Sequence, residues 1–177
     1  MTVDSDATTL GRRSSLPAWD GWRRPSWALF ALIGLVAAGL ILRILASAAG
    51  WPVLPTLADS WPYSYYAELN IFGDPQHPPG YALFLATIGL VTHSVGVFIV
   101  LQHLIGIASA LVLFAAIRRM CGSPWPGVVA AAVVLLDADQ LYLEDQIMSE
   151  VLFTLLMAGA LYAAARTLEE PRRWWPW

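Results

Sequence analysis

The chain has 177 residues, of which 58% are hydrophobic and 13% charged, with a formal net charge of −3. A soluble domain carries about 25% charged residues, so these few cannot clothe a water-exposed surface, and most of the exterior must face lipid. The small net charge points to no nucleic-acid partner, and the single Cys121 excludes an intrachain disulfide or a cysteine-based metal site.

Residues 1–26 form a polar tail carrying Arg12, Arg13, Arg23 and Arg24, expected to be disordered. Trp27 to Ala49 is then an apolar run interrupted only by Arg43, and about 20 such residues cross the hydrocarbon core as a helix. Ala46-Ser47-Ala48 imitates a signal-peptide cleavage site. The run is longer than the usual apolar core of about 7–15 residues, however, and Arg43 stands just before the supposed cut, which favours a retained signal-anchor.

Gly50 to Gly80 is a long and aromatic connector. It holds Asp59-Ser60-Trp61, then Tyr63, Tyr65 and Tyr66, and ends in His77-Pro78-Pro79-Gly80-Tyr81. The prolines fix backbone angles and hold His77 extended, setting the entry angle of the stretch Tyr81 to Thr92. That stretch is too short to span and is expected to lie in the interface or re-enter. Val95 to Ile117 is a second full-length run, ending in Arg118-Arg119. A short third run, Pro124 to Leu136, opens on Pro-Trp-Pro, which the first turn of a helix tolerates. The fourth, Ile147 to Ala165, ends at Arg166. Residues 170–177 look like the mouth of another span, with arginines followed by an aromatic belt. The chain is therefore expected to be the N-terminal part of a longer protein. The predicted fold is all-α and polytopic over 27–169, with about four transmembrane helices and a short interfacial or re-entrant helix in the first outer loop.

The arginines test this count. Basic residues collect on the cytoplasmic side, and four crossings place the N-terminal cluster, Arg118-Arg119 and the Arg166 group there together, provided Tyr81 to Thr92 does not cross. The acids Asp59, Glu68, Asp74, Asp137, Asp139, Glu144, Asp145 and Glu150 then fall in the two outer loops or at their edges, and neither loop contains an Arg. Acids carry little topological penalty and gather outside by default; they also suit a cation or chemistry.

Four residues stand out. Asp59 lies among aromatic residues that suit a sugar or lipid headgroup; it would act as a general base if a hydroxyl came within about 2.6–3.2 Å, or serve as a helix cap. Arg43 lies about 24 Å along the first helix, near its outer boundary, where it would snorkel to the headgroups or offer its planar fork to a lipid phosphate. Glu150 opens the fourth span, a depth at which an acid is costly and a functional candidate. Glu144 precedes it by six positions, so one unbroken helix would point the two about 120° apart. A shared site requires the helix to start or break between them.

The order of these features resembles the N-terminal region of GT-C glycosyltransferases, the superfamily of protein O-mannosyltransferases and lipid A aminoarabinose transferases. The features are a late Arg in the first helix, a long loop with Asp59, His77-Pro78-Pro79-Gly80-Tyr81, a helix ending in Arg118-Arg119, a short helix, and Ser149-Glu150 opening the next. The likeness runs from about Leu40 to Glu169, and its strongest element is His77 to Tyr81. Many relatives have Asn-Pro or Ser-Pro after the third span, where this chain has Asp137-Ala138. The resemblance implies transfer of a sugar from a polyprenyl-phosphate donor to an acceptor glycan, lipid or protein outside the bacterial inner membrane. It further implies Asp59 as catalytic base and Arg43, His77, Tyr81, Glu144 and Glu150 as substrate-binding residues, with the charge of the leaving phosphate met either by Arg43 or by a divalent cation, which in some relatives such acids as Glu144 and Glu150 help to hold. Two rival functions remain. A transporter or flippase component would show Gly/Pro-broken helices paired in repeated halves, and the chain has no internal repeat. A membrane scaffold would be indifferent to Asp59→Asn and Glu150→Gln.

Overall fold

A computed structural model describes residues 27–50 and 60–169. Asp59 and the two terminal segments, 1–26 and 170–177, lie outside the described residues. The elements in chain order are α1 (Trp27–Ala49), α2 (Ser60–Leu69), α3 (Pro79–Gly89), α4 (Val95–Cys121), α5 (Pro124–Leu136), α6 (Ala138–Glu144) and α7 (Ser149–Glu169). Every regular element among the described residues is helical. Helices α1, α4 and α7 are long and apolar enough to cross a membrane, and α5 and α6, joined at a bend of 54°, reach that length and apolarity only together, as a broken span or a re-entrant loop, which gives three to four candidate spans among the described residues. The protein is an all-α polytopic membrane protein.

Helix α4 is the centre of the bundle, flanked by α5 and α7, and α1 packs mainly on α5. The seam is built from small residues. Ala110 and Ala131 are fully buried against Leu32 and Leu135, and a Cβ on Gly127 would come within 2.7 Å of the Phe114 carbonyl oxygen. Close backbone approach of this kind supplies the packing energy that lipid does not. The α4–α5 hairpin closes in two residues. Gly122 takes φ +65 and donates its N–H to Arg118 O at 3.0 Å, and Pro124 starts α5 where its missing N–H costs nothing.

Arg118 and Arg119 occupy the last turn of α4 and Arg166 the last turn of α7. The Arg119 guanidinium lies 5.1 Å from the Tyr162 ring centre, so these two basic ends share one side of the bundle. The C-terminal half of α1 meets the N-terminal half of α4 at the opposite side, through Ser47 and His103. Trp27 is thereby on the arginine side.

Between Gly50 and Gly80 the connector is not wholly irregular, because Ser60–Leu69 is a helix. Its inward face carries Ser60 and Tyr63, while Trp61, Tyr65 and Leu69, spaced four apart, point outward. It packs on α3, an apolar helix of 11 residues started by Pro79 after the extended Pro78. That length fits an interfacial or re-entrant segment.

Candidate functional site

Most of the buried polar groups gather at the side of the bundle away from Arg118 and Arg166. Arg43 is 1% exposed and Glu144 not at all. Arg43 Nη2 donates to Glu144 Oε1 and Nε to Oε2, both at 2.7 Å, while Nη1 donates to the carbonyls of Gly39 and Leu135 at 3.1 Å. Four of the roughly five N–H groups of a guanidinium are thus engaged. The Leu135 carbonyl is free to accept because α5 ends at the next residue and gives way to the bend before α6. Gly106 on α4 makes room for the pair, since a Cβ there would overlap Glu144 Oε1.

His103 lines the other side of Glu144, with Nδ1 2.9 Å from Oε2, and Gln140 Nε2 donates to Oε1 at 3.0 Å. The far nitrogen of His103 lies 2.9 Å from Ser47 Oγ and 3.2 Å from Asp145 Oδ1, and the latter oxygen is buried without a hydrogen bond of proper geometry. Burial pushes the Asp145 carboxyl above its ordinary value, against the pull of His103. Hydroxyl, imidazole and carboxylate in series resemble a nucleophilic relay. Here the fork of Arg43 takes up the Glu144 charge and a second carboxylate competes for the ring, so nothing singles out the Ser47 hydroxyl.

Above this lock sits an aromatic wall. The Tyr63 ring lies 4.8 Å from both His77, in a tilted arrangement, and Tyr81, edge to face. Tyr63 O–H donates to Ser149 Oγ at 3.0 Å, and Ser149 Oγ–H to Glu150 Oε2 at 3.3 Å. Glu150 itself is exposed. His77 is held by Asp74, whose Oδ2 lies 2.8 Å from Nδ1 and whose Oδ1 accepts the N–H groups of Gln76 and His77. Burial works against a charge on Asp74, but these bonds outweigh it and hold the carboxyl below its ordinary value. Ser60, bonded in sequence to Asp59, is buried with its Oγ 3.9 Å from Met148 Sδ, just before α7.

The structure therefore joins Tyr63, His77, Tyr81 and Glu150 in one cluster, with the two tyrosines buried and Glu150 exposed at its edge, and sets Arg43 and Glu144 beneath it. The chain does break between the two glutamates, with α6 ending at Glu144 and α7 starting at Ser149. They nevertheless have different surroundings: the Glu144 oxygens are filled by Arg43, His103 and Gln140, and Glu150 faces outward. Arg43, expected at the headgroups or a lipid phosphate, is instead spent on Glu144. Glu144, expected at a cation, is spent on Arg43 and His103. Among the described residues no three His, Cys, Asp or Glu side chains are gathered so as to hold a metal ion. Gln102 and His103, two adjacent polar residues inside the apolar run of α4, were not anticipated; their depth in that run was the available signal.

A bundle of spans with an ionic lock under a buried tyrosine cluster, edged by the part-exposed His77 and the exposed Glu150, defines a polytopic membrane protein with one chemically equipped end. The family model for dolichyl-phosphate-mannose-protein mannosyltransferases matches residues 76–177, more than half of the chain, and the chain belongs to that family. The family is of the GT-C type, and membership implies glycosyl transfer from a lipid-linked donor. Comparison with curated proteins and with solved structures gave no match. The matched segment includes His77, Tyr81, Gln102, Glu144 and Glu150, and excludes Arg43, Asp59 and Tyr63.

Proposed function

We propose that this chain forms part of an enzyme that moves a sugar from a polyprenyl-phosphate donor to an acceptor on the non-cytoplasmic face of a bacterial inner membrane. The arginine-bearing ends face the cytoplasm, so the aromatic wall faces outward. The observation that carries the proposal is the Tyr63–Ser149–Glu150 hydrogen-bonded series, which fixes an exposed carboxylate beside the rings of Tyr63, His77 and Tyr81. The exposed Glu150 carboxylate and the part-exposed His77 suit the hydroxyls of a sugar, which donate to a carboxylate, while the buried Tyr63 and Tyr81 support them from beneath.

Asp59 takes the proton of the acceptor hydroxyl. The acceptor oxygen bonds to the anomeric carbon, and the bond from that carbon to the phosphate oxygen breaks, the phosphate leaving with the electron pair. Glu150 and His77 orient the sugar. The charge developing on the phosphate needs positive groups close by, and Arg43 is not assigned that part because it is buried with four of its N–H groups in use and its charge paired with Glu144. Glu144 likewise has no free lone-pair direction for a cation, so no step runs through a metal held there.

The test uses the full-length protein in membrane vesicles with a radiolabelled polyprenyl-phosphate sugar. Asp59→Asn is expected to lower transfer by ~10²–10⁴-fold, the usual worth of general-base catalysis, with insertion intact. Undiminished transfer removes Asp59 from the mechanism. No transfer by the unaltered protein from any such donor overturns the function.

A further inference from the structure

The polar lock and the aromatic wall are joined through one side chain. Gln102 lies on α4, is 2% exposed, and uses every polar group it has. Its Oε1 accepts the Tyr81 O–H at 2.7 Å. Its Nε2 donates to the carbonyl of Glu144 at 2.9 Å and also to that of Gln146. The orientation of the amide follows from these partners, because two carbonyls can be met only by the NH2 end.

An apolar side chain would fill this place in a membrane helix without the cost of burying an amide. What the amide adds is a link between two segments distant in sequence. On one side is Tyr81, which closes the His77-Pro-Pro-Gly-Tyr stretch and packs edge to face on Tyr63. On the other is the turn 144–146, which carries the chain out of α6 and into Ser149 and Glu150 at the start of α7. The Glu144 and Gln146 carbonyls lie in a turn whose backbone hydrogen bonds include the local ones from Asp145 N–H to Leu141 and Tyr142 and from Gln146 N–H to Leu143, so the Gln102 amide adds a tie from the turn to a different helix. Rotation of that turn would swing Glu150 relative to His77.

We propose that Gln102 is a positioning residue, which sets the register between the Tyr81 segment and the α6–α7 turn and so holds Glu150 in place opposite His77. This rests on the assignment of the aromatic wall as the sugar site. Gln102 touches neither donor nor acceptor; it acts through Glu150 and Tyr81.

A double-mutant cycle in the full-length protein separates positioning from general structural support. Transfer is measured for Gln102→Leu, Glu150→Gln and the pair, with a melting curve for each in detergent. Gln102→Leu alone is expected to lower transfer about a hundredfold, the scale of a displacement near 1 Å. On the Glu150→Gln background the same change should cost less than about threefold, because the group it positions is already gone. Tyr81→Phe, which removes one bond of Gln102 and keeps the ring, runs through the same cycle and decides the matter should Gln102→Leu fail to insert. Its cost should likewise shrink on the Glu150→Gln background. Full multiplication of the two effects overturns the positioning role and leaves the sugar site standing. A Glu150→Gln protein with undiminished transfer overturns both.

Discussion

Arg43 and Glu144, 101 positions apart in sequence, meet in a two-pronged ion pair with both bonds at 2.7 Å. The pair ties the late part of α1 to the end of α6 inside the bundle, where neither charge reaches water. Taking two ions out of water is expensive, and their attraction repays it only with good geometry and with the remaining donors and acceptors satisfied. Both conditions hold here, through Gly39 and Leu135 on one side and through His103 and Gln140 on the other.

Breaking the pair from one side should be worse than removing it. Arg43→Met leaves the buried Glu144 charge without its main partner and is expected to lower the unfolding free energy by ~3–5 kcal/mol. Arg43→Met combined with Glu144→Met leaves no such charge and should recover much of the loss. Thermal unfolding in detergent compares the three proteins. A double variant as unstable as the single one would show that the pair contributes more than mutual neutralisation.

Gly106 gives a steric version of the same test. Gly106→Ala places a methyl where Glu144 Oε1 lies, and overpacking of this kind costs ~1–3 kcal/mol. Gly34→Ala, in α1 with nothing within 4 Å of the added carbon, is the matched control and should stay within about 0.5 kcal/mol of the parent. The same melting curves read both, and equal effects would mean that α4 does not approach the ion pair closely.

Asp74 predicts a pH dependence in the loop that presents His77. Its carboxyl is held below the ordinary value of about 3.9, so the ordering it gives the loop is complete above that value. The ordering is lost only as pH falls through the lowered one. Protease protection of the segment 70–78 should therefore persist to about pH 4 and fade on further acidification. In Asp74→Asn the protection should be weaker and no longer follow pH in that range. An unchanged profile would mean that Asp74 does not hold the loop.

The spans were legible in the sequence because lipid demands unbroken apolar runs. Trp27 to Ala49 and Pro124 to Leu136 coincide with α1 and α5, and the prolines of Pro78-Pro79 and Pro124 mark helix starts. The positive-inside count kept Tyr81 to Thr92 from being read as a crossing, and α3 is indeed too short for one. Helix α2 was less visible, since Ser, Pro and Tyr give it little intrinsic preference; its outward Trp61, Tyr65 and Leu69 were the periodic trace. The partners of Arg43 were not legible at all. Nothing local in the sequence links position 43 to position 144, and an arginine at that depth fits a headgroup, a phosphate or a carboxylate equally well. Gln102 poses the same difficulty, because a lone amide in an apolar run names no partner.

The claim on which the rest depends is that the wall of Tyr63, His77 and Glu150 faces away from the cytoplasm. Cys121 is exposed beyond Arg118 and Arg119 at the end of α4, so the chain carries its own marker for the opposite face. Ser149→Cys adds a thiol at the wall, and a membrane-impermeant maleimide is applied to intact cells and to permeabilised ones. Labelling of position 149 in intact cells, with Cys121 labelled only after permeabilisation, is the predicted result. Labelling of Cys121 in intact cells while position 149 waits for permeabilisation would contradict it.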